Sequence, residues 1–142
     1  MQIADRIKAD VASAMKAGER ERVGALRLVL SELQKAEKEG GVDELAVLRR
    51  ERKRRREAAE AYREAARDDL ASNEEFEAKV IEDYLPAELS EAELDELVAK
   101  AVAETGASSP RDMGQVIKHV MAAAGGRADG RRVSTKVKEA LR

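Results

Sequence analysis

Apolar residues recur at helical spacing along almost the whole chain, and this periodicity limits the possible folds more than any other feature. No segment shows the strict alternation of apolar and polar residues that marks a half-buried strand. The chain has one Phe, two Tyr and no Trp, so its core must be built from small aliphatic residues, which suit closely packed helices better than a sheet. We therefore predict an all-α fold. The first two apolar stripes are Ile3, Ile7, Val11, Ala14 and Met15, and then Val23, Leu26, Leu28, Val29, Leu30 and Leu33.

Glycine, proline and capping residues divide the first half of the chain into four helices. Gly18 should end the first helix and Gly40-Gly41 the second. Asp43 can cap a third helix that runs to about residue 67. A fourth helix, from about residue 69, should end at Pro86 because proline cannot continue it.

The segment around Pro86 is the best candidate for a domain boundary. We predict an N-terminal helical domain over residues 1–86 and a C-terminal three-helix domain over residues 87–142, with a hinge near Pro86. In the second domain Ser90 and Glu93 match a capping box, and Ser109-Pro110 matches another helix start. The last two helices should be joined by a tight loop in which Gly125 and Gly126 end the first of them and Asp129 and Gly130 start the second, and Gly114 is a further structural residue near the start of the first.

The densest charge lies in the third helix, over residues 49–56. Arg52 and Arg55 fall on the apolar seam of that helix, so its middle should extend beyond its packing partners or lie at the surface. Two interpretations stay open. The run could lie along a phosphate backbone, or it could be a solvated helix whose arginines pair with glutamates three and four residues away.

A second basic segment closes the chain. Residues 111–142 contain eight arginines and lysines against three acidic residues, so acidic partners should be few, although the whole chain has a net charge of −2. The arginines flank a glycine loop and the first turn of the last helix, where backbone amides also favour anions. The structural alternative, that Arg127 pairs with Asp129 inside the loop, is favoured by these residues alone. Sequence-specific base recognition is not expected, because Tyr62, Tyr84 and Phe76 all fall at core positions.

The sequence offers no arrangement of residues that could run a reaction alone. There is no cysteine, and His119, the only histidine, falls off the apolar stripe without a catalytic partner at a suitable spacing. The acidic cluster at Glu74, Glu75, Glu77 and Glu82 lacks the histidines of a bundle metal site. We therefore expect no catalytic residue, no metal and no cofactor. No segment approaches the roughly 20 apolar residues of a membrane span, so a soluble cytoplasmic protein without a membrane partner is expected.

Several short motifs, specific in combination, give the chain a resemblance to a known family. They are LRL at residues 26–28, KxRREAAExYR at 53–63, RxDL at 67–70, YLPxxLS at 84–90, DMGxV at 112–116, GRADG at 126–130 and VSxxVKxxL at 133–141. This combination resembles the YqeY family of small bacterial proteins, and the C-terminal part is similar to the tail of the B subunit (GatB) of the tRNA-dependent amidotransferase.

The resemblance implies two all-helical parts and a role near tRNA. The GatB tail is a mobile appendage that touches tRNA, whereas the parts that activate the misloaded residue and release ammonia have no counterpart here. A carbon–nitrogen ligase label would thus describe relatives, and we expect the chain not to be an enzyme by itself.

Our leading hypothesis from the sequence is a helical module that binds tRNA or another structured RNA and serves the aminoacyl-tRNA pathway. The alternative is a helical adaptor that docks onto another protein and has no RNA role. The primary candidates for RNA contact are Arg127, Arg131, Arg132 and Lys136, and the secondary candidates are Lys118, Arg27, Lys53, Arg55 and Arg67.

Overall fold

The described part of the chain, residues 2–41 and 43–142 of a computed structural model, is helical and contains no strand, which confirms the predicted all-α class. Met1 and Val42, both within the predicted N-terminal domain, lie outside the described residues. The helices are α1 (Gln2–Ala17), α2 (Arg20–Lys38), α3 (Glu44–Glu64), α4 (Asp68–Glu82), α5 (Glu91–Thr105), α6 (Met113–Ala124) and α7 (Gly130–Ala140), with a 3₁₀ turn (Pro110–Asp112) before α6.

The chain folds into two compact units. The first ends at Leu85 and contains α1 to α4; the second, Pro86–Arg142, contains α5 to α7. Within the described residues, each helix is too short or too polar to span a lipid bilayer.

Helix starts follow the capping residues expected from the sequence. The Asp43 carboxylate accepts from the backbone N–H of Ala46, and Ser90 and Glu93 form both hydrogen bonds of a capping box. Satisfying the free amides of a first turn stabilises a helix by about 1 kcal/mol per cap. The cap of α1 is different, because the Glu44 carboxylate of α3 accepts from the amides of Ile3 and Ala4 at 3.2 and 2.9 Å.

The turn between α3 and α4 is closed without glycine. The third helix ends at Glu64, earlier than the predicted residue 67, and Ala66 adopts a left-handed conformation with φ of 57°. The amide of Arg67 then donates to the Tyr62 carbonyl at 2.8 Å, which closes the turn. A left-handed alanine costs about 1–2 kcal/mol relative to a right-handed one, so the packing of α3 against α4 must offset this strain.

The two units have separate aliphatic cores. In the first unit, α1 packs on α2 and α3 on α4, and both hairpins meet around fully buried aliphatic residues. In the second unit, α5, α6 and α7 pack pairwise around a core of the same kind. The largest fully buried side chains include Ile7, Leu26, Leu33, Leu48 and Ile81 in the first unit, and Leu94, Val116, Val120, Val133 and Val137 in the second.

Three residues assigned to the core from the sequence are exposed instead. Met15, Leu28 and Phe76 retain 55%, 49% and 38% of their accessible surface. Each lies at the edge of an apolar stripe, where the side chain points away from the neighbouring helix. Gly24 lies near this surface in the interior of α2, where glycine costs about 1 kcal/mol relative to alanine.

One face of the middle of α3 is buried against neighbouring helices, so α3 does not extend beyond its packing partners there, whereas Arg50, Lys53 and Arg54 lie at the surface as the alternative prediction had it. Glu51 and Arg52 retain only 2% and 7% of their accessible surface. Arg55 donates to the Glu51 carboxylate at 2.8 Å and to Glu77 of α4 at 3.1 Å. Long arginine stems can be covered by neighbouring helices when a carboxylate neutralises the guanidinium group.

Further arginines of α3 also pair with α4, the helix of the acidic cluster. Arg56 bonds Glu82, and Arg63 bonds Glu75. The arginine run therefore pairs within its own helix, where Arg54 and Arg55 bond Glu51 at three- and four-residue spacing as one sequence interpretation had it, and it also pairs with α4, which that interpretation did not include. Burial raises the pKa of Glu74 in the acidic cluster, and the charge of Glu77 adds to this.

We predict that Glu51→Ala lowers the free energy of unfolding by roughly 3–5 kcal/mol, because it removes one of the two carboxylates that neutralise the largely buried Arg55 guanidinium. Glu57→Ala is the matched control, since Glu57 is exposed on the same helix and should change stability by less than about 0.5 kcal/mol. Urea unfolding followed by circular dichroism measures both. Equal stability of the two variants would mean that the buried ion pairs do not stabilise the α3–α4 hairpin.

Candidate nucleic-acid interface

The loop between α6 and α7 forms as the sequence predicts. Gly125 and Gly126 adopt left-handed φ values of 58° and 83°, which end α6. Ala128 is buried in the core of the unit, and the Asp129 carboxylate accepts from the amide of Arg132 at 2.8 Å to begin α7. The loop is thus held against the core from its middle as well as from both ends.

Two arginines of this region bind the backbone that precedes α5. Arg127 donates through Nε to the Ala87 carbonyl at 2.8 Å, and its own carbonyl accepts from the Leu89 amide at 2.8 Å. Arg132 donates through Nη2 to the Leu89 carbonyl at 2.9 Å. These three bonds satisfy backbone groups that no helix satisfies, so both arginines have a structural role in the unit.

The same side of α7 faces the acidic first turns of α5. Arg132 lies 3.0 Å from a Glu91 oxygen, and Lys136 lies 2.8 Å from Glu91 and 2.9 Å from Asp95. The hydrogen bond from Lys136 lowers the pKa of Glu91, and the hydrogen bond to Glu91 raises the pKa of Lys136. At pH values above the pKa that Glu91 has in the unfolded chain, this contact therefore stabilises the folded unit. The stabilisation is lost as the pH falls through the lower pKa that Glu91 has in the folded unit.

The expectation that the C-terminal basic residues have few acidic partners is wrong. It counted charges only within residues 111–142, whereas the partners come from about 40 residues earlier in the chain. Arg127 pairs with Glu93 at 3.9 Å, not with Asp129, and Arg132 also approaches Glu88 at 3.7 Å. One sequence signal could have found these partners. Residues 91 and 95 carry acids four apart and residues 132 and 136 carry bases four apart, which is the spacing of matching helix faces.

The outer face of α7 keeps its positive charge exposed. Arg131, Thr135 and Lys138 lie on this face at four- and three-residue spacing, and Arg142 follows beyond the last turn. Lys138 and Arg142 make no ion pair with any of the described residues. The acidic residue next to this stripe is Glu139. We call Arg131, Lys138 and Arg142 the α7 basic stripe.

The secondary candidates do not form one group. Lys118 is exposed on α6, and Lys53 is exposed on α3; neither has an ionic partner in the described part of the chain. Arg55 is held by Glu51 and Glu77, and Arg67 pairs with Asp69 at 3.3 Å. Arg27 contacts only the Met15 sulfur, at 3.5 Å. Arg55 thus stabilises the first unit, whereas Lys53 and Lys118 leave their charges open to solvent.

His119 is exposed, as its position off the apolar stripe predicted. Its Nε2 lies 2.7 Å from a Glu104 carboxylate oxygen, and both side chains are partly solvated. Within residues 2–41 and 43–142, no three acidic or histidine side chains are close enough to hold a metal ion.

We predict that Arg132→Ala lowers the free energy of unfolding of the C-terminal unit by about 1–3 kcal/mol, because the Leu89 carbonyl and the α5 carboxylates lose a donor. Lys138→Ala, on the outer face of the same helix, should change it by less than about 0.5 kcal/mol. Hydrogen exchange of the α6 and α7 amides reports the stability of this unit directly. If both variants exchange at the wild-type rate, Arg132 has no structural role.

Comparison with known proteins gives a match over nearly the whole chain. A family model described as Yqey-like protein matches residues 4–141. A protein of the fungus Pyrenophora tritici-repentis, named altered inheritance of mitochondria protein 41, mitochondrial, is 29% identical over 145 residues, which covers 96% of this chain and 79% of the relative. An uncharacterized protein of Schizosaccharomyces pombe is 32% identical over 89 residues, which covers 59% of this chain and 72% of the relative.

Proposed function

The chain belongs to the YqeY family, and from this premise we propose that its C-terminal unit binds the phosphate backbone of a structured RNA, with tRNA as the first candidate. The α7 basic stripe is the observation that carries the proposal. Arg131 and Lys138 lie on one face of a helix whose other side is fixed to α5 by hydrogen bonds and ion pairs, and Arg142 follows the last turn of that helix. A rigid row of exposed cations is suited to neutralising phosphates along a nucleic-acid backbone.

The ion pairs of the unit rank the candidate residues. A guanidinium or ammonium group that is already bound to carboxylates can contact a phosphate only by exchanging that partner. Lys138 and Arg142 have no such partner among the described residues, so they should contribute more than Arg127, Arg132 and Lys136. Lys138 and Arg142 thus become the primary contacts of the α7 basic stripe, with Arg127, Arg132 and Lys136 as secondary ones.

We propose that the C-terminal unit recognises the backbone and the shape of the RNA and not its bases. Residues 86–142 contain no Phe, Tyr or Trp, so this unit has no aromatic platform on which a base could stack. This agrees with a tRNA-binding module related to the GatB tail that performs no chemistry itself. We place its role in the aminoacyl-tRNA pathway and in the cytoplasm of a bacterium, on the resemblance to bacterial YqeY proteins.

We predict that bulk tRNA binds the wild type with about micromolar or tighter affinity at low salt and that binding weakens as salt rises. The combined variant Arg131→Ala, Lys138→Ala, Arg142→Ala should bind more weakly. Its slope of log affinity against log salt should be shallower by about 0.7–0.9 per lost phosphate contact. The double variant Lys35→Ala, Lys38→Ala removes lysines from α2 and should leave the slope unchanged. Fluorescence anisotropy across a salt series measures all three, and absence of binding at low salt would refute the proposal.

We also predict that Glu91→Gln, Asp95→Asn tightens tRNA binding, because it releases Lys136 and partly Arg132 from their carboxylate partners. The variant Glu21→Gln, Glu96→Gln is matched in net charge but removes exposed glutamates that hold no basic residue of α7, so it controls for the general effect of charge. Equal affinity in these two variants would show that the α5 carboxylates do not compete with RNA.

A further inference from the structure

The outer face of α2 carries a second surface, in the first unit, that the proposed RNA role does not use. An open groove of about 530 Å³ runs beside the end of α1, and its floor includes Met15, Val23 and Gly24. An adjoining cleft of about 510 Å³ shares Gly18, Glu19 and Arg20 with it and is closed by Phe76. We call these two spaces together the α2 groove.

Gly24 is unexplained by the chain's own packing. A Cβ atom built on Gly24 meets no atom of the chain within 4 Å, and its φ does not lie in the region that favours glycine. Alanine would therefore fit without strain and would strengthen the helix. A helical glycine at an exposed position allows another backbone to approach closely, so the space above Gly24 fits an element from outside the chain.

Two arginines frame this glycine. Arg20, Gly24 and Arg27 follow one another at four- and three-residue spacing, so they lie on one face of α2, with the arginines about 10.5 Å apart along the helix. The Arg20 side chain makes no hydrogen bond or ion pair with the described residues, and the only such partner of Arg27 among them is the Met15 sulfur. In a chain whose arginines mostly pair with carboxylates, these two lack theirs.

Exposed apolar side chains complete the surface. Met15 and Phe76 border the groove, and Leu28 lies one turn beyond Gly24 on the same helix. Glu19 and Glu21 also line the groove, but Glu19 pairs with Arg22 at 3.9 Å, so Arg20 and Arg27 are the cations left for a ligand. With the apolar side chains they complement a helix that has an apolar stripe and carboxylates two turns apart. The apolar floor favours such a helix over a phosphate backbone, which would need more cations and no apolar contact.

We propose that the α2 groove docks an amphipathic α-helix of a partner protein. Two carboxylates of that helix, seven residues apart, pair with Arg20 and Arg27, and a side chain between them packs over Gly24. The surface lies wholly within the first unit, so it is independent of the proposed RNA contact on α7.

Selection from a displayed library of helical peptides against the full-length chain tests this proposal. The enriched peptides should carry apolar residues at helical spacing and acidic residues seven apart. Binding of a selected, labelled peptide should weaken at least tenfold with Gly24→Gln, which fills the groove, and with Arg20→Glu, Arg27→Glu. Lys35→Glu, a charge reversal at the far end of the same helix, should have no effect. Because glutamine is a better helix former than glycine and has open space here, Gly24→Gln should unfold at a temperature no lower than the wild type.

Each other result overturns the proposal. Failure to enrich peptides, or peptides that bind Gly24→Gln as well as the wild type, would mean that the groove docks no such helix. If the wild type dimerises in sedimentation and Gly24→Gln does not, the occupant is a second copy of this chain. If Gly24→Gln loses tRNA affinity, the groove belongs to an RNA footprint instead. The tRNA measurements on the α7 variants stand apart from all of these results.

Discussion

Pairing between basic and acidic segments that lie far apart in the sequence is the interaction on which the rest of this structure depends. Charged residues make up 39% of the chain, so some of them must lie on the faces where helices meet. In the first unit the arginines of α3 meet the carboxylates of α4. Arg55 also bonds Glu51 of its own helix, and both side chains have little exposure to solvent. In the second unit Arg132 and Lys136 of α7 meet the first turns of α5. A buried charge without its partner would destabilise either unit strongly, so these pairs decide which helices can lie side by side.

The pairing also determines which charges remain for a ligand. A count along the sequence makes residues 49–56 the most basic site, yet Arg55 and Arg56 are bound to carboxylates of α4. What remains exposed without an ionic partner in the described chain is a smaller set that is divided between the two units. In the second unit this set includes Lys138 and Arg142 at α7 and Lys118 on α6. In the first it includes Arg20 and Arg27 at the α2 groove and Lys53 on α3.

The scarcity of aromatic residues has a related consequence. Cores built from alanine, valine, leucine and isoleucine bring helices close together, and side chains at the edge of an apolar stripe then project past the contact. Met15, Leu28 and Phe76 are exposed in this way. Tyr84, by contrast, is buried, with its ring beneath Arg6 and its hydroxyl bonded to Asp10. Burial, with the bond to Asp10, raises the pKa of Tyr84, so the hydroxyl that links the segment after α4 to α1 remains protonated in the physiological pH range.

The sequence by itself determined the all-α class, the stops at Gly18 and Gly125, and the caps at Asp43, Ser90 and Asp129, because each of these stops and caps acts through atoms within about four residues along the chain. Only the tertiary structure decided that α3 ends at Glu64. The turn that follows needs a left-handed Ala66, and the packing of α3 against α4 makes this conformation tolerable. The tertiary structure alone also decided which basic residues are available to a ligand. In the sequence, Arg127 and Arg132 cannot be told apart from Lys138 and Arg142. The carbonyls and carboxylates that bind Arg127 and Arg132 lie about 40 residues away, so no local pattern shows this difference.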